Sequence, residues 1–330
     1  MADRLPLVLG AIAFIVAVSV PAWANPGLVF IAGLILIQGL FATSWNVLFG
    51  YAGLASFGHA GFFGIGAYCA GALLRYNFGV PFPLILVLAM LLGAVVAWLI
   101  GLVALRRLSG IFLAVLTVAL SEILRLLVSY SKFLGAEDGL SNIPHPKIDL
   151  GFAVLDFAST RVHYWFLMFV VLLALAILWW VLHSRYGRIF QIIRQDPERA
   201  AFLGTNIARY RVVAFMISGA VASLSGALYA PWTRVVTLDE LHWLQSLQPM
   251  LYTLLGGVGS FWGPMIGSGA FAIINYNTRE YAGVSEIIVG AVLIAIILVA
   301  PTGIVGLYHQ LRGRFAKNGA GARSESGQSA

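Results

Sequence analysis

The stretch HSRYGRIFQIIRQDPERAAFLGTNIARY, residues 183–210, decides the fold. It carries Arg185, Arg188, Arg194, Arg199 and Arg209 with Asp196 and Glu198, yet the apolar runs Tyr164 to Leu182 and Val212 to Ala230 bound it on both sides. An arginine-rich segment between two runs of that length must lie in water beside a membrane. The composition agrees, because 330 residues that are 60% apolar and 10% charged cannot cover the surface of a soluble globule. The apolar runs lack the strict alternation of an outer-membrane barrel. The fold class expected is an all-α polytopic membrane protein.

Working outward, the runs suggest about ten spans, or eight plus a re-entrant hairpin. Towards the N-terminus lie Leu28 to Phe49, a glycine-dense segment from Gly50 to Tyr68 leading to Arg75, Phe82 to Leu105, and Ile111 to Tyr130. Arg4, the run Leu5 to Val20 and Ala22-Trp23-Ala24 have the layout of a signal peptide. An uncleaved first span ended by Pro21 and Pro26 is the plainer reading. A polar loop from Ser131 to Arg161 precedes the arginine stretch. Beyond that stretch, Leu244 to Leu255 and Trp262 to Tyr276 are short and joined by glycines, forming either two thin spans or a hairpin. Ile287 to Ala300 is the last span of a permease body taken as 1–308, and 309–330 reads as a disordered basic tail.

If the spans alternate, Arg4, Arg106, Arg107, the central arginines and the tail cations share one side, and Glu137, Asp138, Asp149, Asp156, Asp239, Glu240, Glu280 and Glu286 share the other. The excess-cation rule makes the first side cytoplasmic, with both termini there. The net charge of +7 thus reports topology; no basic, aromatic-interleaved stripe points to nucleic acid. Cys69 is the only cysteine and lies in an apolar run, so it reads as a packing residue.

Within the central stretch, Asp196-Pro197-Glu198 has the signs of a helix start: an N-cap, proline at the first helical position and an acid in the first turn. Two turns would follow, showing Ala200, Ala201 and Leu203 to a partner and stopping at Gly204, with Gly187 separating an earlier helix. A short helix along a membrane face suits a groove in another protein. Gly259, Gly263 and Gly267 recur every fourth residue, and Gly58, Gly61 and Gly64 accompany Ala60 and Ala67. Such small-residue faces allow close helix approach, and glycine-interrupted segments in both halves also mark a substrate path; the two readings can coexist. Gly257 belongs to the same set. His59 reads first as a hydrogen-bonded structural group and second as a transport residue, with Ser56 and Asn46 as polar partners; no other ligand at metal spacing accompanies it. Glu122 and Arg125, one turn apart inside a span, can pair and share the cost of burial.

Residues 184–188, 193–204 and 214–220 resemble the cytoplasmic coupling region of LivM-type permeases, membrane subunits of bacterial branched-chain amino acid ABC importers. Segments 46–68, 117–126 and 256–267 match in order, so the resemblance runs from about Gln38 to Gly306. Ile189-Phe190 departs from the small residues expected after Gly187-Arg188, and Gly135 to Gly139 only approximates the family's glycine-rich external loop. The resemblance implies a second, LivH-type permease subunit, two ATPases on the cytoplasmic face and a periplasmic binding protein, all at the bacterial inner membrane. It also implies that Arg185, Gly187, Arg188, Arg194, Asp196, Glu198, Ala200, Ala201 and Gly204 form the segment the ATPases grip. The lysines Lys132, Lys147 and Lys317 follow Ser131, Pro146 and Ala316, so no phosphate-binding Gly-Lys pair exists. The chain is therefore not expected to be an enzyme, ATP and magnesium being held by the partners.

A urea or short-chain amide importer shares the glycine segments and is the alternative reading. An ion-coupled carrier or channel would place more ionisable groups in its spans. No HExxH or GxSxG motif supports an intramembrane hydrolase.

Overall fold

The computed structural model describes residues 17–105, 110–149, 154–278, 303–306 and the single positions 287, 290, 291 and 294. Arg4 and most of the N-terminal run, Arg106-Arg107, Glu280, Glu286, most of the expected last span and the basic tail lie outside the described residues. Ten helices are numbered here from Pro26 onward. The first is α1, Pro26–Asn46, which widens into a π-helical segment at Val47–Ala52. Then come α2 (His59–Arg75), α3 (Phe82–Ala104), α4 (Ile111–Ser129) and α5 (Thr160–His183). The arginine stretch forms α6 (Arg185–Gln195) and α7 (Pro197–Phe202), and α8 (Ile207–Thr233), α9 (Leu247–Gly256) and α10 (Gly263–Thr278) follow. The loop before α5 holds two 3-10 turns and an antiparallel pair, β1 (Lys147–Asp149) with β2 (Val154–Asp156).

Among the described residues five helices are long and apolar enough to cross a membrane: Pro26–Ala52, Phe82–Ala104, Ile111–Ser129, Thr160–His183 and Ile207–Thr233. Helix α8 is the axis of the bundle and the most buried of the five. It runs parallel to α2, since Gly219 meets Phe62 and Ser223 meets Gly66. It runs antiparallel to α3, where Val212 meets Gly101 and Ser223 meets Gly93, and to α1, where Ser218 meets Ser44 and Trp232 meets Gly33. Added Cβ atoms at Gly66 and Gly226 would run into the carbonyls of Ser223 and Phe63, so the two backbones touch where glycine alone fits. Serines supplement the packing. Ser218 donates to the Ser44 carbonyl at 2.6 Å and Ser223 to that of Phe62 at 2.7 Å, each a bond between helices.

The short pair near the end of the chain is a helical hairpin, with Gly256 against Gly263 and Tyr252 against Gly267. At a rise of about 1.5 Å per residue α9 is about 15 Å long, half a hydrocarbon core, and so by length alone is too short for a span. Helix α10 lies antiparallel to α1, where Ser268 donates to the Ile35 carbonyl at 3.2 Å.

Two breaks between α-helices, at residues 53–58 before α2 and at 234–246 before α9, the second holding the 3-10 turns Leu238–Leu241 and Trp243–Ser246, meet at their inner ends. The Ala60 amide donates to the Ser246 hydroxyl at 2.9 Å. Backbone groups that irregular segments and short turns leave open at membrane depth survive only where protein satisfies them, and α4 supplies partners. Thr117 accepts from the amides of Phe57 and Gly58, Ser121 donates to the Leu241 carbonyl, and Glu122 accepts from the Trp243 amide.

Candidate functional site

Every turn of the arginine stretch is capped by a side chain. Ser184 accepts from the Tyr186 amide, Asp196 from that of Arg199 at 2.9 Å, and Asn206 from that of Arg209 at 3.1 Å. These bonds satisfy amides that the first turn of a helix leaves without partners. Helix α6 buries Gly187, Phe190 and Ile193 along one stripe and exposes its arginines. Gly187 does not separate two helices as expected: it sits in the first turn of α6, where a Cβ would strike the Leu182 carbonyl, and so permits the tight fold-back from α5.

Helix α7 starts at Asp196-Pro197 as expected, and its chain leaves through Gly204 at φ +78°. Its presented surface differs from the expectation at one residue. Ala200 is 0% exposed and faces the body, whereas Phe202 at 91% and Leu203 at 73% stand out with Ala201. A small residue at Ala200 lets the helix sit close, and the apolar prominence is Phe202-Leu203. Phe202 was legible as an apolar residue in a polar loop but was not singled out. Arg185, Arg188 and Glu198 are exposed on this end of the molecule.

Arg194 is exposed like the others, but the end of its side chain reaches the body. Its guanidinium donates to the Gly50 carbonyl, and its stem passes beside Gly53, where a Cβ would stand 3.0 Å from its Cγ. A Cβ at Gly259 would stand 3.2 Å from its Nη1. Asn46 completes this junction: its side chain donates to the Ser260 carbonyl at 2.8 Å and accepts from the Gly259 amide at 3.0 Å. The end of α1, the glycine turn before α10 and the helix before α7 therefore converge on Asn46 and Arg194. Gly259 lies in that turn at φ +77°, not on a helix face with Gly263 and Gly267 as the four-residue spacing suggested. Gly257, at φ +124°, belongs to the same turn.

In the first half, Gly58 abuts the Thr117 carbonyl, Gly61 the Leu124 side chain and Gly64 Leu241, so these residues pack α2 against α4 and the second break. His59 is fully buried; its Nε2 lies 2.8 Å from the Ser44 hydroxyl and its ring stacks on Phe41 at 5.4 Å. Its partner is Ser44, not the expected Ser56 or Asn46. Ser56 instead offers its carbonyl to Trp45. The expected pair of Glu122 and Arg125 forms, with Arg125 Nε 2.7 Å from Glu122 Oε2. It faces the second break and keeps part of its surface open. The serines and threonines that join the helices were not singled out, since in sequence they are single polar residues scattered through apolar runs.

A polytopic helical bundle with broken half-helices, carrying an exposed short helix on its arginine-rich end, defines a membrane permease architecture. Residues 27–300 match the model of the branched-chain amino acid transport system / permease component family, and the chain belongs to that family. It is 28% identical over 311 residues to the high-affinity branched-chain amino acid transport system permease protein LivM of Salmonella typhimurium, covering 88% of this chain and 73% of the relative. The LivM of Escherichia coli is 28% identical over 327 residues, 93% of this chain and 76% of the relative. Escherichia coli LivH, of the same transport system by name, is 25% identical over 284 residues, 81% of this chain and 90% of the relative. No solved structure matches the chain.

Proposed function

We propose that the chain is one of two homologous membrane subunits of an ABC importer for leucine, isoleucine and valine in the bacterial inner membrane. A LivH-type permease is its partner, two ATPases dock on the arginine-rich end, and a periplasmic protein delivers the substrate to the acidic end. Similarity to both LivM and LivH supports pairing of two related subunits around a shared axis. The excess of arginine on the α6–α7 end supports its placement in the cytoplasm.

The observation that carries the reading is the apolar prominence Phe202-Leu203 on a capped helix that stands in water. Such a surface suits insertion into a groove of an ATPase. On this reading closure of the ATPases pulls α7, α6 follows as one piece, and Arg194 carries the displacement to Gly50 and the glycine turn at Gly259. The shift is delivered where the first and second halves of the chain are tied together by Asn46. ATP and magnesium stay on the partners.

The test is accumulation of labelled leucine in proteoliposomes holding this chain, its permease partner and the ATPases, with loaded binding protein outside and ATP inside. Uptake that needs all components is expected. Accumulation by this chain alone, or of urea and amides in place of branched-chain amino acids, would overturn the reading.

A further inference from the structure

A polar stripe crosses the middle of the molecule in otherwise apolar surroundings. It begins with Arg125 and Glu122 on α4, continues through His242, whose Nε2 lies 3.8 Å from Glu122 Oε1, and descends through Gln245 to Gln248. His242 caps the 3-10 turn Trp243–Ser246 that holds Gln245, and Gln248 follows in the first turn of α9, where its side chain reaches back to Gln245. Gln248 donates to Gln245 at 2.8 Å and accepts from the Tyr252 hydroxyl at 3.2 Å, while Gln245 also donates to the buried carboxyl of Glu240 at 3.1 Å. The ion pair and the histidine beside it stay partly open: the side chains of Arg125, Glu122 and His242 are 32%, 27% and 34% exposed.

Glu122 lies about 16 Å along α4 from its start, near the centre of a hydrocarbon core. Open charges at that depth cannot face lipid without a cost of about 3 kcal/mol or more each, so this edge borders water or another polypeptide. Nor does backbone satisfaction require the charges. Thr117 and Ser121, on the same helix, serve the two breaks with hydroxyls. The Trp243 amide needs an acceptor, not a carboxylate paired to a guanidinium. A carboxylate and a guanidinium side by side, with amides along the edge and Trp243 and Leu244 exposed next to them, complement a zwitterion that carries an apolar side chain.

We propose that this stripe is a substrate-contacting wall of the translocation path, and this rests on the permease reading above. The α-ammonium group of a passing amino acid takes Glu122, its α-carboxylate takes Arg125, and the two side chains give up their own pair. One ion pair is exchanged for two, so entry costs no unpaired charge, and the original pair re-forms when the substrate leaves. A neutral urea or amide has no such exchange to make.

The test uses the complete importer in proteoliposomes, with Cys69→Ala as parent. Gln245→Cys in that parent should react with a membrane-impermeant thiosulfonate, and turnover with leucine should slow the reaction. Arg125→Gln alone takes from Glu122 its guanidinium partner and should reduce the amount of assembled complex. The double variant Glu122→Gln with Arg125→Gln should restore assembly, yet carry leucine about tenfold more slowly or worse, the loss expected from missing charge-assisted contacts. Parental leucine flux in the assembled double variant would reduce the pair to a structural one and overturn the proposal. So would a Gln245→Cys variant whose new thiol stays inert to the reagent throughout turnover. Failure of the permease reading looks different, since the parent complex itself would then move no leucine.

Discussion

At the residue scale the junction under the bundle depends on a few groups that cannot be exchanged. The amide of Asn46 fits the Ser260 carbonyl and the Gly259 amide at once, and neither Asp nor Leu of similar size offers both a donor and an acceptor. Asn46→Ala should cost about 2 kcal/mol by leaving buried backbone groups without partners, visible as a lower midpoint in thermal unfolding of the purified complex. Ser218→Ala should cost only about 0.6 kcal/mol, typical of hydrogen bonds between membrane helices. Similar losses from both changes would remove the special standing of Asn46. Asn46 was legible in the sequence as a polar group beside a glycine segment. Its partners, more than two hundred residues away, were not, because no local pattern specifies which turn comes to lie beneath α1.

At the scale of elements, α7 is a short exposed helix made by local rules: an aspartate cap, a proline at the first position and a glycine exit. Phe202→Asp together with Leu203→Asp should abolish co-purification of the ATPases while leaving the permease pair folded, because both side chains stand in water. Retention of the ATPases by that variant would place the docking surface elsewhere. Arg194→Ala should give the opposite pattern, with ATPases still bound but leucine uptake reduced about tenfold, since the variant cuts the link to Gly50 and leaves α7 alone. Binding assays and uptake assays on one preparation separate the two. The caps were readable in sequence because they act within three residues. The inward turn of Ala200 was not, since a six-residue helix has no repeating face from which to read its packed side.

For the whole molecule, chain direction alternates from α1 through the shorter α2 to α5 and again at α8, which sets the arginine end of α6 and α7 opposite the acidic loops. With Cys69→Ala as background, Phe202→Cys should label only from the cytoplasm and Glu137→Cys only from the periplasm. Labelling of both from one side would break the alternation on which orientation rests. The two breaks at residues 53–58 and 234–246 give the bundle its internal polarity. They approach from opposite ends, and their helices start where Ala60 meets Ser246. That arrangement places polar groups at mid-depth, as in transporters whose discontinuous helices form the pathway.

The amino-acid sequence by itself determined that this chain lives in a membrane as a helical bundle, which family it resembles, and where the short helix α7 begins. Those properties follow from composition, run length and bonds that span three or four residues. Only the tertiary structure decided that α9 is half the length of a span, that Arg194 reaches the Gly50 carbonyl, that His59 pairs with Ser44, and that Glu122 and Arg125 open along a polar edge. These depend on which distant segments touch, and in a bundle whose helices are apolar nearly all round, hydrophobic pattern alone does not choose neighbours. The choice is made by glycine contacts and single hydroxyls, which carry no periodic signal.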